Sequence, residues 1–492
     1  MGLNGGISRT DSPLDSRSLD GFNRTRVSNP VNLFLNKNIH DRNKILWEEP
    51  IVGAIIVHGT VTGGPFQVAE TITGGTSGQT ATVTAVAGDN LSVTYTVNHN
   101  DFTDTETITG GTSGATATVT NSNTGSNVSH SRDKGAIVLQ VGSASGDQAV
   151  RTTHRYIPYV PGKAQLITLT SCFGAAVTNV RRRKGYFDLL NGLFLEQTLG
   201  GVNLVRRSST SGSVVDDPTA QADWNLDTLI DGSGLSGITL DLAKVQYLVI
   251  EFVWQGVGNV RWGFEIDGDI IFVHEEGFGN VATAAFMSTG SLPVRYEITN
   301  TGATSGTNTM DEICSSVVSE GGERLAGFGA SVSNEVAPKT VAAASGSVPV
   351  LAIRLKAAYG SDSGPNRKTA RIGSVAVMAV TNNAHYDLNH VHDPTGITAT
   401  WTSAGDDSAI EYSTDISAYT PNPEHTIEQG FAVAGQAGKG LGESVKIGEE
   451  ADQHRFLTQN HDSTNSELFV LSATSFSGNS DISAAMSWVE FD

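Results

Sequence analysis

The chain has 492 residues, with 55 glycines, only 17% charged side chains and a formal charge of −20. An apolar content of 38% excludes a disordered polyelectrolyte, and 51 acidic against 31 basic residues exclude recognition of nucleic-acid phosphates, which takes a basic surface. Runs of Ala, Glu, Lys, Leu and Arg are missing while Gly, Ser, Thr, Val and Asn abound, so long helices are excluded and an all-β chain is expected.

Residues 1–50 keep no helical or alternating period and read as an extended N-terminal arm, ordered only where it lies on something else. Their opening has no apolar stretch of the secretory kind, and no segment approaches the roughly 18 apolar residues of a membrane span. Synthesis in a cytoplasm without membrane insertion is the expectation. Residues 51–58 begin a core that is interrupted at once. Phe66–Thr84 and Phe102–Thr120 match at 15 of 19 positions with an offset of 36. Each copy holds a Thr/Val strand, a Gly-Gly-Thr-Ser-Gly turn and an alternating Ala-Thr-Val-Thr strand. The glycines supply the positive φ a tight hairpin needs. Residues 59–134 therefore read as a small inserted all-β module built on a duplicated hairpin.

From residue 135 to 389, short strands alternate with turn signals. Candidates include Ala136–Val141, Gln165–Thr170, Val245–Trp254, Val260–Ile266, Val348–Leu355 and Ser374–Val380. Separators include Asp267-Gly268-Asp269 and Ser361-Asp362-Ser363-Gly364. The pattern predicts an antiparallel β-sandwich or jelly-roll core. One short helix is predicted around Thr309–Ser319, with Asp311 and Glu312 early in it. Residues 390–492 hold 16 acidic and 3 basic side chains and read as a loop-rich β region. Their last stretch, Ile482–Phe491, alternates and is expected to return to the core as a closing strand.

No nucleophile elbow, HExxH, phosphate loop or CxxC motif is present. Gly438-Lys439-Gly440-Leu441-Gly442 lacks the strand-to-helix setting of a phosphate loop. His390-Val391-His392 is the best metal pattern, because i and i+2 on a strand share one face. Two ligands do not make a site, the third is not identifiable, and solvated loop histidines are the alternative; no cofactor is assigned. Asp216-Asp217 and Asp406-Asp407 point to opposite faces as doublets, so no glycosidase pair follows. The basic run Arg181-Arg182-Arg183-Lys184 reads either as a dock for an acidic neighbour or as a solvated turn. Cys172 and Cys314 read as small buried residues, with a single disulfide left open. Trp254, Trp262 and Trp401 read as core residues or, if exposed, as platforms for sugar rings.

Several stretches together resemble a family of tailed-bacteriophage virion structural proteins. They are Phe22-Asn23-Arg24-Thr25-Arg26-Val27-Ser28-Asn29-Pro30, Tyr159-Val160-Pro161-Gly162-Lys163, Gly185-Tyr186-Phe187-Asp188 with Asn191-Gly192-Leu193-Phe194, Gly258-Asn259-Val260-Arg261-Trp262-Gly263-Phe264, Leu292-Pro293-Val294-Arg295-Tyr296, and Ile313-Cys314-Ser315-Ser316-Val317-Val318-Ser319-Glu320-Gly321-Gly322. The resemblance implies a virion component rather than an enzyme, while the inserted module at 59–134 departs from the family and leaves its place on the virion untransferred. The preferred reading is an exposed homo-oligomer, a trimer or hexamer, in the neck, tail, baseplate or fibre apparatus with other particle proteins. A capsid decoration protein or a host-glycan adsorption module is the alternative. Phe22, Arg24 and Arg26 of the arm, with Arg181, Arg182 and Arg183, are the expected contact residues, the arm adding strands to a neighbour's sheet.

Overall fold

The computed structural model describes residues 30–491, apart from 45, 96–101, 322–326, 335–336, 344–345, 360–365, 421–423, 435–442, 447–455 and 462–463. Phe22, Arg24, Arg26 and the glycine-rich 438–442 lie outside the described residues. The sheets are all antiparallel, and the described residues hold no α-helix. The all-β expectation holds.

Two apolar cores organise the chain. The first draws on residues from Phe34 to Val317 and the second on residues from Val341 to Trp488. In the first unit an eight-stranded sheet runs in the order 269–277, 259–266, 245–252, 165–172, 308–319, 136–141, 127–131, with Val31–Lys37 added to the strand at 308–319. It faces a longer sheet in which Val180–Phe187 lies between Gly192–Thr198 and Val294–Asn300. Alternation sets the layers. Ile167 and Leu169 turn inward from Gln165–Cys172, and Leu248 and Ile250 from the neighbouring Val245–Phe252. Asp267 and Gly268, with φ of 54° and 88°, make the two-residue turn between Asn259–Ile266 and Asp269–Gly277.

The helix expected at Thr309–Ser319 is a strand, Asn308–Ser319. Its inward residues are Met310, Glu312, Ser315, Val317 and Ser319, with a register shift near Cys314. Three of those five are polar, which hides the period of two, and the shift breaks what remains of it. Cys172 and Cys314 are free thiols.

The long sheet continues from Ile51–His58 into the duplicated hairpins. Thr71–Gly74 with Thr80–Ala87 is one copy, and Thr107–Gly110 with Thr116–Gly125 is the other. The first strands of the two copies pair antiparallel, Ile72 opposite Gly110 and Gly74 opposite Ile108, so the copies meet about a local twofold. Thr116–Gly125 then pairs back onto Ile51–His58, closing a six-stranded barrel in which the host strand is shared. Ile56, Ile72, Val83, Leu91, Val93, Ile108 and Val119 fill it, while the threonines face out.

The second unit is a two-sheet sandwich. One sheet runs 328–333, 480–491, 369–379, 443–446; the other runs 402–403, 410–413, 348–355, 468–475, 384–391, 424–432. Ile372, Val377, Met486 and Trp488 of the first meet Ile353, Tyr386, Leu388 and Phe469 of the second. The sequence-based division at 389/390 falls inside the strand Ala384–Val391. The closing strand Ser480–Phe491 pairs with Thr369–Ala379 and Phe328–Ser333, in this second sandwich.

Candidate functional site

The basic run is neither a solvated turn nor an open dock. It forms half of Val180–Phe187, inside the long sheet. Arg182 and Lys184 turn toward the facing sheet. Arg182 donates to Gln197 Oε1 at 3.0 Å and Ala175 O at 2.9 Å, and Lys184 Nζ to Gln246 O at 3.1 Å. Burial pulls Lys184 down to about 7, against the weak opposing pull of Cys172. Arg181 and Arg183 share the other face with Glu196, Asp216 and Glu297. Burial pushes Glu297 up, but Arg295, Arg183 and Arg181 outweigh it and hold the carboxyl at about 2. The Asp216-Asp217 doublet is absorbed by ion pairs: Asp216 accepts from Arg207 Nε at 2.7 Å and Nη2 at 2.9 Å, and Asp217 pairs with Arg206. Trp262 is fully buried, Trp254 donates its Nε1–H to Met287 O at 2.9 Å, and Trp401 is half-buried with the Arg354 guanidinium 4.0 Å above its ring.

His390 and His392 are 1% exposed, so they are not solvated loop histidines. His390 lies on Ala384–Val391 and His392 just beyond it. The i, i+2 relation places both toward Glu467, which immediately precedes the adjacent strand Leu468–Ser475. Glu467 Oε2 faces His390 Nε2 at 3.2 Å, and Oε1 faces His392 Nδ1 at 2.6 Å. Thr458 adds its N–H and its hydroxyl to Oε2, both at 2.9 Å. His425, opposite His390 in the register, brings its ring within 5.9 Å of the His392 ring.

The first unit supplies the other wall. Trp47–Glu48 pairs with Gln148–Thr153, which sets Glu48 opposite Thr152 and carries His154 one residue past the strand end. His154 Nδ1 lies 3.3 Å from Glu48 Oε1 and 3.7 Å from Glu467 Oε1. His461 closes the outside of Glu48, with its N–H 3.0 Å from each carboxylate oxygen and Nδ1 2.7 Å from Oε2. Flanking this cluster, the Arg155 guanidinium stacks 3.7 Å over Phe456, and Arg367 stacks 4.4 Å over Tyr156. The site is therefore built across the junction of the two units.

Burial opposes every charge here, and the partners decide which survive. Burial raises Glu48, but His154 and His461 bring it down to about 2. Burial lowers His154, yet Glu48, Asp393 and Glu467 lift it to about 9. His392 falls to about 3, because burial and the neighbouring His390 together outweigh Glu467. Glu467 sits well below its ordinary value through His390 and His392, despite burial. The outcome is a buried carboxylate pair, a cationic His154 and a neutral His392 whose Nε2 has no hydrogen-bond partner.

One ligand atom each from His154, His392 and Glu467 lies within 4.8 Å of the other two. His154, His390, His392, Thr458 and Glu467, with Arg155 and the apolar Phe34, Leu46 and Phe456, line a small cavity with about 10 Å³ of free space, the room of one water-sized centre. Sequence reasoning found His390 and His392 but missed His154, Glu48, Glu467 and His461. The only local signal was a carboxylate at the mouth of the apolar run Leu468-Phe469-Val470-Leu471.

No protein-family model matches the chain, and no curated protein matches it. Among solved structures, it is similar to a glycosyl hydrolase family protein from Mycobacterium fortuitum: 12% identity over 39% of this chain and 78% of that one, TM-score 0.27. It is similar to the carbohydrate recognition domain of Emp46p in its potassium-bound form: 13% identity, 40% and 88% of the chains, TM-score 0.24. A third is the CBM2 module of the evolved Dit of Lactobacillus casei BL23 phage J-1: 9% identity, 41% and 83% of the chains, TM-score 0.25. Likenesses this distant carry no argument about what the chain binds.

Proposed function

We propose that the chain is a structural subunit of a tailed-bacteriophage particle, exposed in the neck, tail, baseplate or fibre apparatus and working by homo-oligomeric assembly. The observation that carries this reading is where the phage-like segments fall. Those among the described residues lie in the first unit, and their large side chains are mostly packed. Tyr186, Trp262, Phe264, Tyr296 and Val317 are fully buried in its core, and Phe187 and Phe194 in a small cluster with Val205, whereas Pro161 and Gly162 are exposed. What resembles the virion family is thus a load of packing residues, in keeping with a scaffold and not with a catalytic cleft. The outer strand Val215–Ala220 carries Asp216, Asp217 and Pro218 on an exposed edge, which discourages unspecific strand addition and leaves assembly to specific surfaces. Mass spectrometry of purified particles tests the reading. Detection of the chain is the expected result, with tens of copies or fewer for a neck or tail part; absence from particles sinks it.

A host-glycan adsorption module is a second reading, favoured by one feature. A polar groove of about 350 Å³ opens in the second unit, lined by Ser331, Ser333, Ser403, Ala404 and Tyr412. Its test is glycan-array binding that Tyr412→Ala abolishes.

A further inference from the structure

We propose that His154, His392 and Glu467 hold a divalent transition metal of the zinc class, and that this ion ties the two β units together. With His154 releasing its proton to solvent as the ion enters, two neutral imidazoles and one carboxylate form a borderline-soft donor set that suits zinc and its neighbours better than calcium or magnesium, which take oxygen ligands. All three side chains are buried, with 4%, 1% and 3% exposure. Their donor atoms lie within 4.8 Å of one another, a spread that a small inward movement brings to the span of one coordination sphere. The cavity they line has room for one ion-sized centre. His392 Nε2 is a buried nitrogen without a hydrogen-bond partner, a cost that a protein interior ordinarily removes.

The surroundings match an outer shell. His390 and Thr458 hold the far oxygen of Glu467, fixing the carboxylate's orientation, and Glu48 faces His154 and is itself held by His461. The ligands come from both units: His154 follows a strand of the first, while His392 and Glu467 flank adjacent strands of the second. An ion bound to all three therefore opposes their separation.

The test uses the full chain, stripped with a chelator and titrated with zinc chloride. The expected result is one zinc per chain by elemental mass spectrometry after gel filtration. Cobalt(II) in place of zinc is expected to give the visible bands of a low-symmetry site. Calorimetry is expected to show one unfolding transition with zinc and two after chelation, the lower one rising by at least about 3 °C to rejoin the upper on reloading. His154→Gln and His392→Gln each bring bound zinc below about one-tenth of an equivalent, while His385→Gln, outside the cluster, leaves it unchanged. If either cluster variant does not fold, the cobalt spectrum and zinc count of the unaltered chain decide. Zinc and cobalt both failing to bind the unaltered chain stoichiometrically overturns the site. Zinc binding that leaves two transitions in place overturns the bridging role.

Discussion

The duplicated barrel and the junction between the two units both bury a pair of glutamates, and they answer those charges in opposite ways. In the barrel, Glu70 of the first copy caps the turn of the second, accepting from Thr112 N at 3.2 Å, Ser113 N at 2.9 Å and the Ser113 hydroxyl at 2.8 Å. Glu106 returns the favour to Thr76 N, Ser77 N and the Ser77 hydroxyl at 2.9, 2.9 and 2.8 Å. The donors are neutral and the arrangement is reciprocal, so neither hairpin is complete without the other. At the junction, Glu48 and Glu467 are answered by four histidines, drawn from distant parts of the chain. Neutral donors within a repeat give a local lock. Ionisable partners from two units give a joint whose strength depends on what else is bound.

The largest effect expected from breaking this contrast is at the junction. Glu467→Ala leaves buried His390, His392 and Thr458 without the carboxylate they bond, removes one of the charges facing the cationic His154, and is expected to cost about 3–5 kcal/mol in denaturant unfolding. A loss below about 1 kcal/mol would put the junction on the same footing as an exposed ion pair. In the barrel, Glu70→Gln and Glu106→Gln are each expected to cost about 1–3 kcal/mol. Because the caps cross over, hydrogen exchange after Glu70→Gln should accelerate at Thr112 and Ser113, not at Thr76 and Ser77; the opposite pattern refutes the exchange of caps. Gly110→Ala puts a Cβ 2.4 Å from Ser113 Oγ and 2.6 Å from Glu70 Oε2, and is expected to cost about 1–2 kcal/mol. Combined with Glu70→Gln its effect should fall short of additivity, measurable in a double-mutant cycle.

Acid gives the mildest test. Burial raises both barrel glutamates, but hydrogen bonds from Ser113 and Gln67, and from Ser77, Thr76 and Thr103, bring each below the ordinary 4.5. The native state therefore favours the charged form. That stabilisation is whole above pH of about 4.5 and is lost as pH falls through the lowered native value. Exchange protection at Ser77 and Ser113 should decline over that range, and the double variant Glu70→Gln with Glu106→Gln should flatten the decline.

What could be read in advance follows the same division. The Asp267-Gly268 turn, the hairpins and the strand alternation were legible because each depends on neighbours within about ten residues. The duplication was visible, but the crossing of its glutamates was not, since nothing in one copy names a partner in the other. His390 and His392 announced a shared face, whereas His154 and Glu467 became their neighbours only through the packing of two units. The basic run misled for a related reason. Four consecutive cations look solvated until Glu196, Asp216, Glu297 and the carbonyls of the facing sheet are brought around them. Asn308–Ser319 was read as helical because Glu312, Ser315 and Ser319 put polar groups on its buried face.

The position of Ser480–Phe491 bears on the order in which the molecule is made. It lies between Phe328–Ser333 and Thr369–Ala379 and also receives Lys339–Val341. The second sandwich thus lacks an internal strand until residues 480–491 have left the ribosome, while every strand of the first unit has emerged by residue 319. Folding during translation then proceeds in two stages, with one unit closed early and the other waiting, its apolar sheet faces open, for the strand Ser480–Phe491. A chain cut short before residue 480 would carry a finished first unit attached to an aggregation-prone half.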